Sequence, residues 1–245
     1  MAYIYEYIRT QGHEPMHFEE HYVRLDALSV IYFAESLRIS RQELVAAIKE
    51  HLQNGHFSHT AMNVVCVKYF TDGTVELEAD YMIYSEFSMR ALHPQAHLLR
   101  VSGKQLIDNT SAKAAFIDFS RTCLQQSNGG SNDVAIWADE KDEVLAIDGS
   151  PVIAIFEDEI RFSKRSNSVE LDLAYEAVST MNRNVTRGII EVADLTKVKE
   201  LLYIGHEGLS AVRIYKPNPI LNYAVAYMDI SAEKIAAMIA KMERK

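Results

Sequence analysis

The sequence predicts a mixed α/β protein of the α+β type, built as two units. Runs with a period of two interleave with runs of helical period along the whole chain. The pattern lapses once, in ALHPQAH around Pro94, the best place for a linker. A length of 245 residues suits one or two domains that share an interface.

The first segment, YIYEYIRTQGHEPMHF, alternates large and polar side chains around Gln11-Gly12-His13 and predicts a β-hairpin. In EEHYVRLDALSVIYFAESL, residues Tyr22, Leu25, Leu28, Ser29 and Tyr32 recur at helical spacing. A second helix, SRQELVAAIKEHLQNG, opens on Ser40 with Glu43 as a capping box and stops at Gly55. AMNVVCVKYF and TVELEADYMIYSEF then predict strands joined through Thr71-Asp72-Gly73. The strand HLLRVS and a helix to about Gln126 follow, closed by the polar break SNGGSND. Strands are expected at VAIWAD, EVLAID and VIAIFEDEIRFS, and a helix capped by Ser or Asn at SNSVELDLAYEAVSTM. GIIEVADL, LLYIGHEGLSAVRIY and the amphipathic tail SAEKIAAMIAKMERK complete the second unit. The expected division is 1–92 as a small α+β domain, 93–99 as a linker and 100–245 as a larger α/β domain.

A net charge of −9 with no basic face argues against a nucleic-acid partner. Cys66 and Cys123 lie in apolar runs and read as buried free thiols of a reducing compartment. No signal peptide or membrane-length apolar run is present in the sequence, so a cytoplasmic protein without a membrane partner is expected. His13, His17 and His21 span a hairpin turn and a helix start, a spacing that does not gather them on one face, and no metal site is expected.

Lys113 stands in IDNTSAKAAFIDFSR, where a polar turn gives way to an apolar helical run. Asp148 follows at the end of a hydrophobic strand and before Gly149, and Ser168 begins a helix further on. An amine, a carboxylate and a helix start are the parts that a pyridoxal phosphate site needs: a nucleophile for the aldehyde, an anion for the ring nitrogen and N–H groups for the phosphate. An apolar setting, offered here by Ala112, Ala114, Ala115 and Phe116, favours the neutral amine. Each residue also has a plainer reading: Lys113 as a solvated helix-start lysine, Arg24 as the ion-pair partner of Glu20, Asp148 as a turn former and Ser168 as a cap.

The stretch IYEYIRTQGHEPMHFEEHYVRLDALS resembles the class IV aminotransferases, with their strand ending in (F/Y)E-x-I-R and their EH-x-x-RL-x-x-S helix. The resemblance implies a two-domain fold like that of D-amino acid aminotransferase, with pyridoxal 5′-phosphate between the domains, amino acid and keto acid substrates, and a homodimer. It puts the Schiff-base lysine at Lys113, the phosphate arginine at Arg24 and the ring-nitrogen carboxylate at Asp148. The first phosphate turn is matched loosely by Asn167, Ser168, Val169 and Glu170, and the second by Gly205 and His206. Order and spacing extend over nearly the whole chain, while motif identity is strong only in its first part.

Several positions depart from the family pattern. The chain begins almost on the first strand, so the small domain is expected to be short at its N-terminus. Asp148 stands for glutamate, Ile153 for asparagine and His206 for threonine, and Asp118 lies near the place of a tyrosine. VKYFTDG lacks the arginine and histidine by which D-amino acid aminotransferases hold a substrate carboxylate. Three readings stay open: an aminotransferase, a lyase of the aminodeoxychorismate type on the same scaffold, and a cofactor-poor homologue without catalysis. Tyr5, Tyr7, Tyr69 and Phe70 read either as a substrate lining or as ordinary strand packing.

Overall fold

The computed structural model describes residues 1–83, 86–90, 94–102, 106, 108–126, 130, 132–181, 183–216 and 224–244. They form two compact units, 1–86 with 108–112 and 87–107 with 113–245.

In the first unit, strand β1 (Tyr3–Gln11) turns through Gly12, at φ 60°, into the short β2 (Glu14–Pro15). Helix α1 (Phe18–Phe33) and helix α2 (Arg41–Asn54) follow. The capping box forms as expected, with the Glu43 amide donating to Ser40 Oγ and the Ser40 amide donating to Glu43. Strands β3 (Met62–Phe70) and β4 (Val75–Tyr81) complete an antiparallel sheet in the order β2-β1-β3-β4. One face of β1 and β3, carrying Ile4, Ile8, Val65, Val67 and Tyr69, meets Tyr22, Leu25, Leu28, Leu44, Ile48 and Leu52 from the helices. Each fully buried aliphatic side chain of this kind contributes about 1.5–3 kcal/mol. Strand β4 is shorter than its sequence pattern suggests. It reaches the start of β3 at the Asn63–Tyr81 pair and has no strand left to follow; of the remainder, Tyr84 and Ser85 lie outside the described residues.

In the second unit, β5 (Met89–Arg90) and β6 (Gln95–Arg100) precede α3 (Ser111–Gln126). The stretch 93–99 expected as a linker is therefore mostly strand, because β6 is held in parallel between β7 and β14; His93 lies outside the described residues, as do 91–92 before it and most of the SNGGSND break. Then come β7 (Val134–Ala138), β8 (Val144–Ile147), β9 (Val152–Ile155), β10 (Glu159–Ser163) and α4 (Val169–Ser179). The run VIAIFEDEIRFS is two strands, since Phe156 N–H bonds back to Glu159 O and folds it into a hairpin. Strand β11 (Asn184–Gly188), a 3-10 turn at Val192–Thr196, β12 (Glu200–Gly205), β13 (Gly208–Val212), β14 (Ile214–Lys216), β15 (Val225–Ala226) and α5 (Ile230–Glu243) finish the unit.

The strands form a six-stranded sheet, β11-β10-β9-β12-β13-β5, and a five-stranded sheet, β15-β14-β6-β7-β8. Alternation along β9 explains the layering. Ile153 and Ile155 pack toward α4 and α5, while Val152 and Ala154 pack toward Ile136, Val144 and Ile147 of the other sheet. The far face of the five-stranded sheet, with Trp137 and Leu145, packs on Phe116, Ile117 and Leu124 of α3. Strands β7, β8 and β9 are covered on both faces, which is why their sequences are continuous apolar runs rather than alternating ones. Ile153, in the place of the family's asparagine, belongs to this helix-facing core.

Candidate active site

The chain crosses from the five-stranded to the six-stranded sheet between β8 and β9, and the crossing is the turn Ile147-Asp148-Gly149-Ser150. Asp148 at φ 49° and Gly149 at φ 80° are both left-handed, and Ile147 and Ser150 exchange backbone hydrogen bonds of 3.0 and 2.9 Å. This is a type I′ turn, and Asp-Gly fits it because aspartate tolerates the left-handed region and glycine has no Cβ to strain there. The turn-former reading of Asp148 is thus correct for its backbone, and the two backbone bonds that close the turn do not use its carboxylate.

Helix α3 lies against this turn. A Cβ on Gly149 would stand 2.8 Å from Ile117 Cδ1, so the bare glycine lets Ile117 reach the turn, and at 3.4 Å from Lys113 Cε it would be in ordinary contact with the lysine. Lys113, Ile117 and Arg121 are spaced by four and make one stripe along the helix. Lys113 is only 5% exposed. The alanines expected to shield it do so only in part: Ala112 and Ala115 face solvent, and the apolar cover comes from Ile117 and the glycine turn.

Arg121 donates to Asp148 Oδ2 from Nη2 at 2.9 Å and from Nε at 3.2 Å. Asp148 Oδ1 is buried and has no hydrogen-bond partner among the described residues. Ser150 Oγ lies 3.5 Å from where a Cβ on Gly205 would be, which brings the tip of the β12–β13 hairpin beside the same turn. Tyr203, two residues before Gly205, is buried, and burial raises its hydroxyl above the usual tyrosine value; Ser210 and Arg90 oppose that shift while Asp148 adds to it. His206 and Glu207 form the hairpin tip, where Gly205 pairs with Gly208 and Glu207 is bound by Arg90.

Ser168 caps α4, its Oγ accepting from Leu171 N–H at 3.0 Å, with Asn167 exposed before it and Val169 buried after it. The first turn of α4 also carries Glu170, which is 4% exposed, and Asp172, which pairs with Arg187. Acidic residues suit a helix N-terminus, but they compete with any anion for the same N–H groups.

Arg24 belongs to the first unit. Its partner is Glu6 on β1, not the helix neighbour Glu20: Nε donates to Glu6 Oε1 at 3.2 Å, and His21 Nδ1 lies 2.9 Å from the same oxygen. Asn109 Nδ2 donates to Glu6 Oε2 at 3.1 Å. Burial acts to raise the Glu6 pKa, but Arg24 and His21 outweigh it and hold the carboxyl below the ordinary glutamate value. Tyr5 is buried and meets Tyr7 edge-on, while Tyr69 is core and its hydroxyl accepts from Arg38 N–H at 3.1 Å. Cys66 is buried, whereas Cys123 is half-buried, a correction to the expectation of two buried thiols; both are free.

The sequence motifs give no role to Arg121 or Glu6, and Glu170 enters them only as the last residue of the phosphate turn. Arg121 was detectable as the third member of the Lys113 stripe, and Glu6 as the acid of the (F/Y)E-x-I-R strand.

No family model matches the chain, and no curated protein sequence does. Solved structures match it over nearly its full length. The fold IV transaminase of Curtobacterium pusillum is 11% identical with a TM-score of 0.76, over 99% of this chain and 85% of that one. A hypothetical aminotransferase of Mycobacterium tuberculosis, in its PLP-bound form, is 12% identical at a TM-score of 0.74, over 97% and 87%. A protein of Legionella pneumophila provisionally assigned as a 4-amino-4-deoxychorismate lyase is 10% identical at 0.74, over 99% and 90%. The fold is therefore that of the fold type IV pyridoxal phosphate enzymes. The buried Lys113 amine group beside the glycine turn, together with the unpartnered Asp148 Oδ1, fits the aldehyde and ring-nitrogen ends of that cofactor.

Proposed function

We propose that the chain is a pyridoxal-phosphate-dependent class IV aminotransferase that moves an amino group between an amino acid and a 2-keto acid. The observation that carries this reading is the stripe of α3 on the Asp148-Gly149 turn: a buried lysine and a carboxylate with one buried oxygen that has no partner among the described residues, on this fold. When bound, the cofactor supplies an electron-withdrawing ring that stabilises negative charge at the substrate α-carbon. Lys113 Nζ would hold the cofactor and, as a general base, would carry the substrate α-proton. Asp148 Oδ1 would accept from the ring nitrogen and keep it protonated. Ser168 with Asn167 and Val169, and Gly205 with His206, offer N–H groups to the phosphate; the assignment of Arg24 as its cation rests on the sequence motif.

The test is uptake of pyridoxal phosphate, followed by borohydride reduction and peptide mapping. Label on Lys113 is expected, and Lys113→Ala is expected to abolish both label and amino transfer. Turnover retained in that variant excludes the assignment, and no uptake at all leaves the cofactor-poor homologue. The likeness to the Legionella protein keeps the lyase as the second reading, distinguished by pyruvate released without a keto-acid acceptor. The homodimer implied by the family motifs is read by sedimentation equilibrium.

A further inference from the structure

The reach of Arg121 to Asp148 is more than a surface ion pair between a helix and a turn. The two donors of the guanidinium converge on one oxygen, Oδ2, at 2.9 and 3.2 Å, and leave Oδ1 buried without a partner among the described residues. A bidentate grip would have engaged both oxygens. Burial is equally one-sided, for the Asp148 side chain is 13% exposed and that of Arg121 is 57% exposed. The type I′ turn has no need of the arginine, since its two backbone hydrogen bonds already close it. Helical side chains lean toward the N-terminus of their helix, so Arg121 reaches back along the stripe that carries Lys113. The carboxylate is thus fixed by the same helix that presents the amine.

We propose that Arg121 is a positioning residue: it holds Asp148 by Oδ2 and so keeps Oδ1 as the acceptor for a protonated aromatic ring nitrogen. This rests on the cofactor reading above and deepens it. Arg121 acts through Asp148, so its effect falls on the one part of the ligand that Asp148 meets. The neighbouring charges are Asp118 on α3 and Glu207 on the hairpin, both of which act on Arg121, and Tyr203 on β12, which feels Asp148.

The experiment compares the affinity of apoprotein for pyridoxal phosphate with that for its 1-deaza analogue, which has C–H in place of the ring nitrogen. Wild type, Arg121→Gln and Arg121→Lys are measured, and each apoprotein is melted as a control. Wild type is expected to prefer the natural cofactor, Arg121→Gln to lose about tenfold of that preference, and Arg121→Lys to keep most of it. A merely structural role weakens both ligands alike and leaves their ratio unchanged, so an unchanged ratio in Arg121→Gln overturns the proposal. If wild type binds both ligands equally, Asp148 does not meet a ring nitrogen and the proposal also falls. If wild type binds neither, the failure lies in the cofactor reading itself. A fall in the apoprotein melting temperature of Arg121→Gln matched by Arg121→Lys, with no change in ratio, assigns the arginine to folding alone and likewise overturns it.

Discussion

Two of the carboxylates paired with arginines, Glu6 in the first unit and Asp148 in the second, are satisfied differently. Glu6 is 2% exposed and has partners at both oxygens: His21 and Arg24 at one, Asn109 at the other. Asp148 has Arg121 at one oxygen, and its other oxygen is buried with no partner among the described residues. A buried carboxylate with all its acceptor sites filled ties elements together, here β1, α1 and the Asn109 segment. One with an acceptor site left open carries a desolvation cost of about 1–3 kcal/mol, which a donor brought by a ligand would remove. The contrast separates a structural acid from a candidate binding acid without reference to motif.

The largest expected effect tests the structural half. Glu6→Ala leaves Arg24, His21 and Asn109 without their acceptor, and removal of one partner from such a buried cluster costs about 3–5 kcal/mol. Chemical denaturation of the apoprotein reads it, and a loss below about 1 kcal/mol would put Glu6 in the class of exposed pairs. A pH dependence follows with a definite sign. The folded pKa of Glu6 is depressed below 4.5, so its stabilisation is present above that value and is lost as pH falls through the folded pKa. The melting temperature is expected to drop on that acid limb, and Glu6→Gln is expected to flatten the drop while costing stability at neutral pH.

Asp148→Asn is expected to do the reverse. Asparagine tolerates the left-handed turn, and the ion pair lost is with a largely exposed arginine, so stability should change by less than about 1 kcal/mol. Affinity for pyridoxal phosphate should fall by about tenfold or more, because a charged acceptor for a ring N–H is lost. Equal losses of apoprotein stability from Asp148→Asn and Glu6→Gln would erase the distinction between the two acids.

Much of this was legible before any coordinates. The period-two run 61–70, the capping box at Ser40 and Glu43, and the helical spacing of Tyr22, Leu25, Leu28 and Ser29 each rest on local rules, and each element formed where its rule put it. Strands that depend on distant neighbours were harder. Residues 95–99 sat in the linker stretch because nothing local marks a parallel partner, and β11 gave no signal because NVTRG is polar on a half-exposed strand. The site divides in the same way. Lys113 and Asp148 were chosen from order and spacing, while the Arg121 contact arises only when α3 is laid on a turn far along the chain. The plainer reading of Arg24 pairs it with Glu20, because spacing along a helix is visible in sequence, whereas its contact with Glu6 on a neighbouring strand is not.

The smallest expected effect concerns the other end of the proposed ligand. Glu170, buried in the first turn of α4, places a carboxylate among the N–H groups proposed for the phosphate. At a helix N-terminus a single charge is worth about 0.3–1 kcal/mol, so Glu170→Gln should weaken the helix slightly by losing its dipole partner. The same substitution removes a like charge from a dianion, and the preference for pyridoxal phosphate over unphosphorylated pyridoxal should rise by about two- to fivefold. Stability and phosphate preference then move in opposite directions, which a general loosening of the fold cannot produce. If the preference stays constant while the helix weakens, Glu170 only complements the dipole of α4, and the phosphate role proposed for the start of that helix falls.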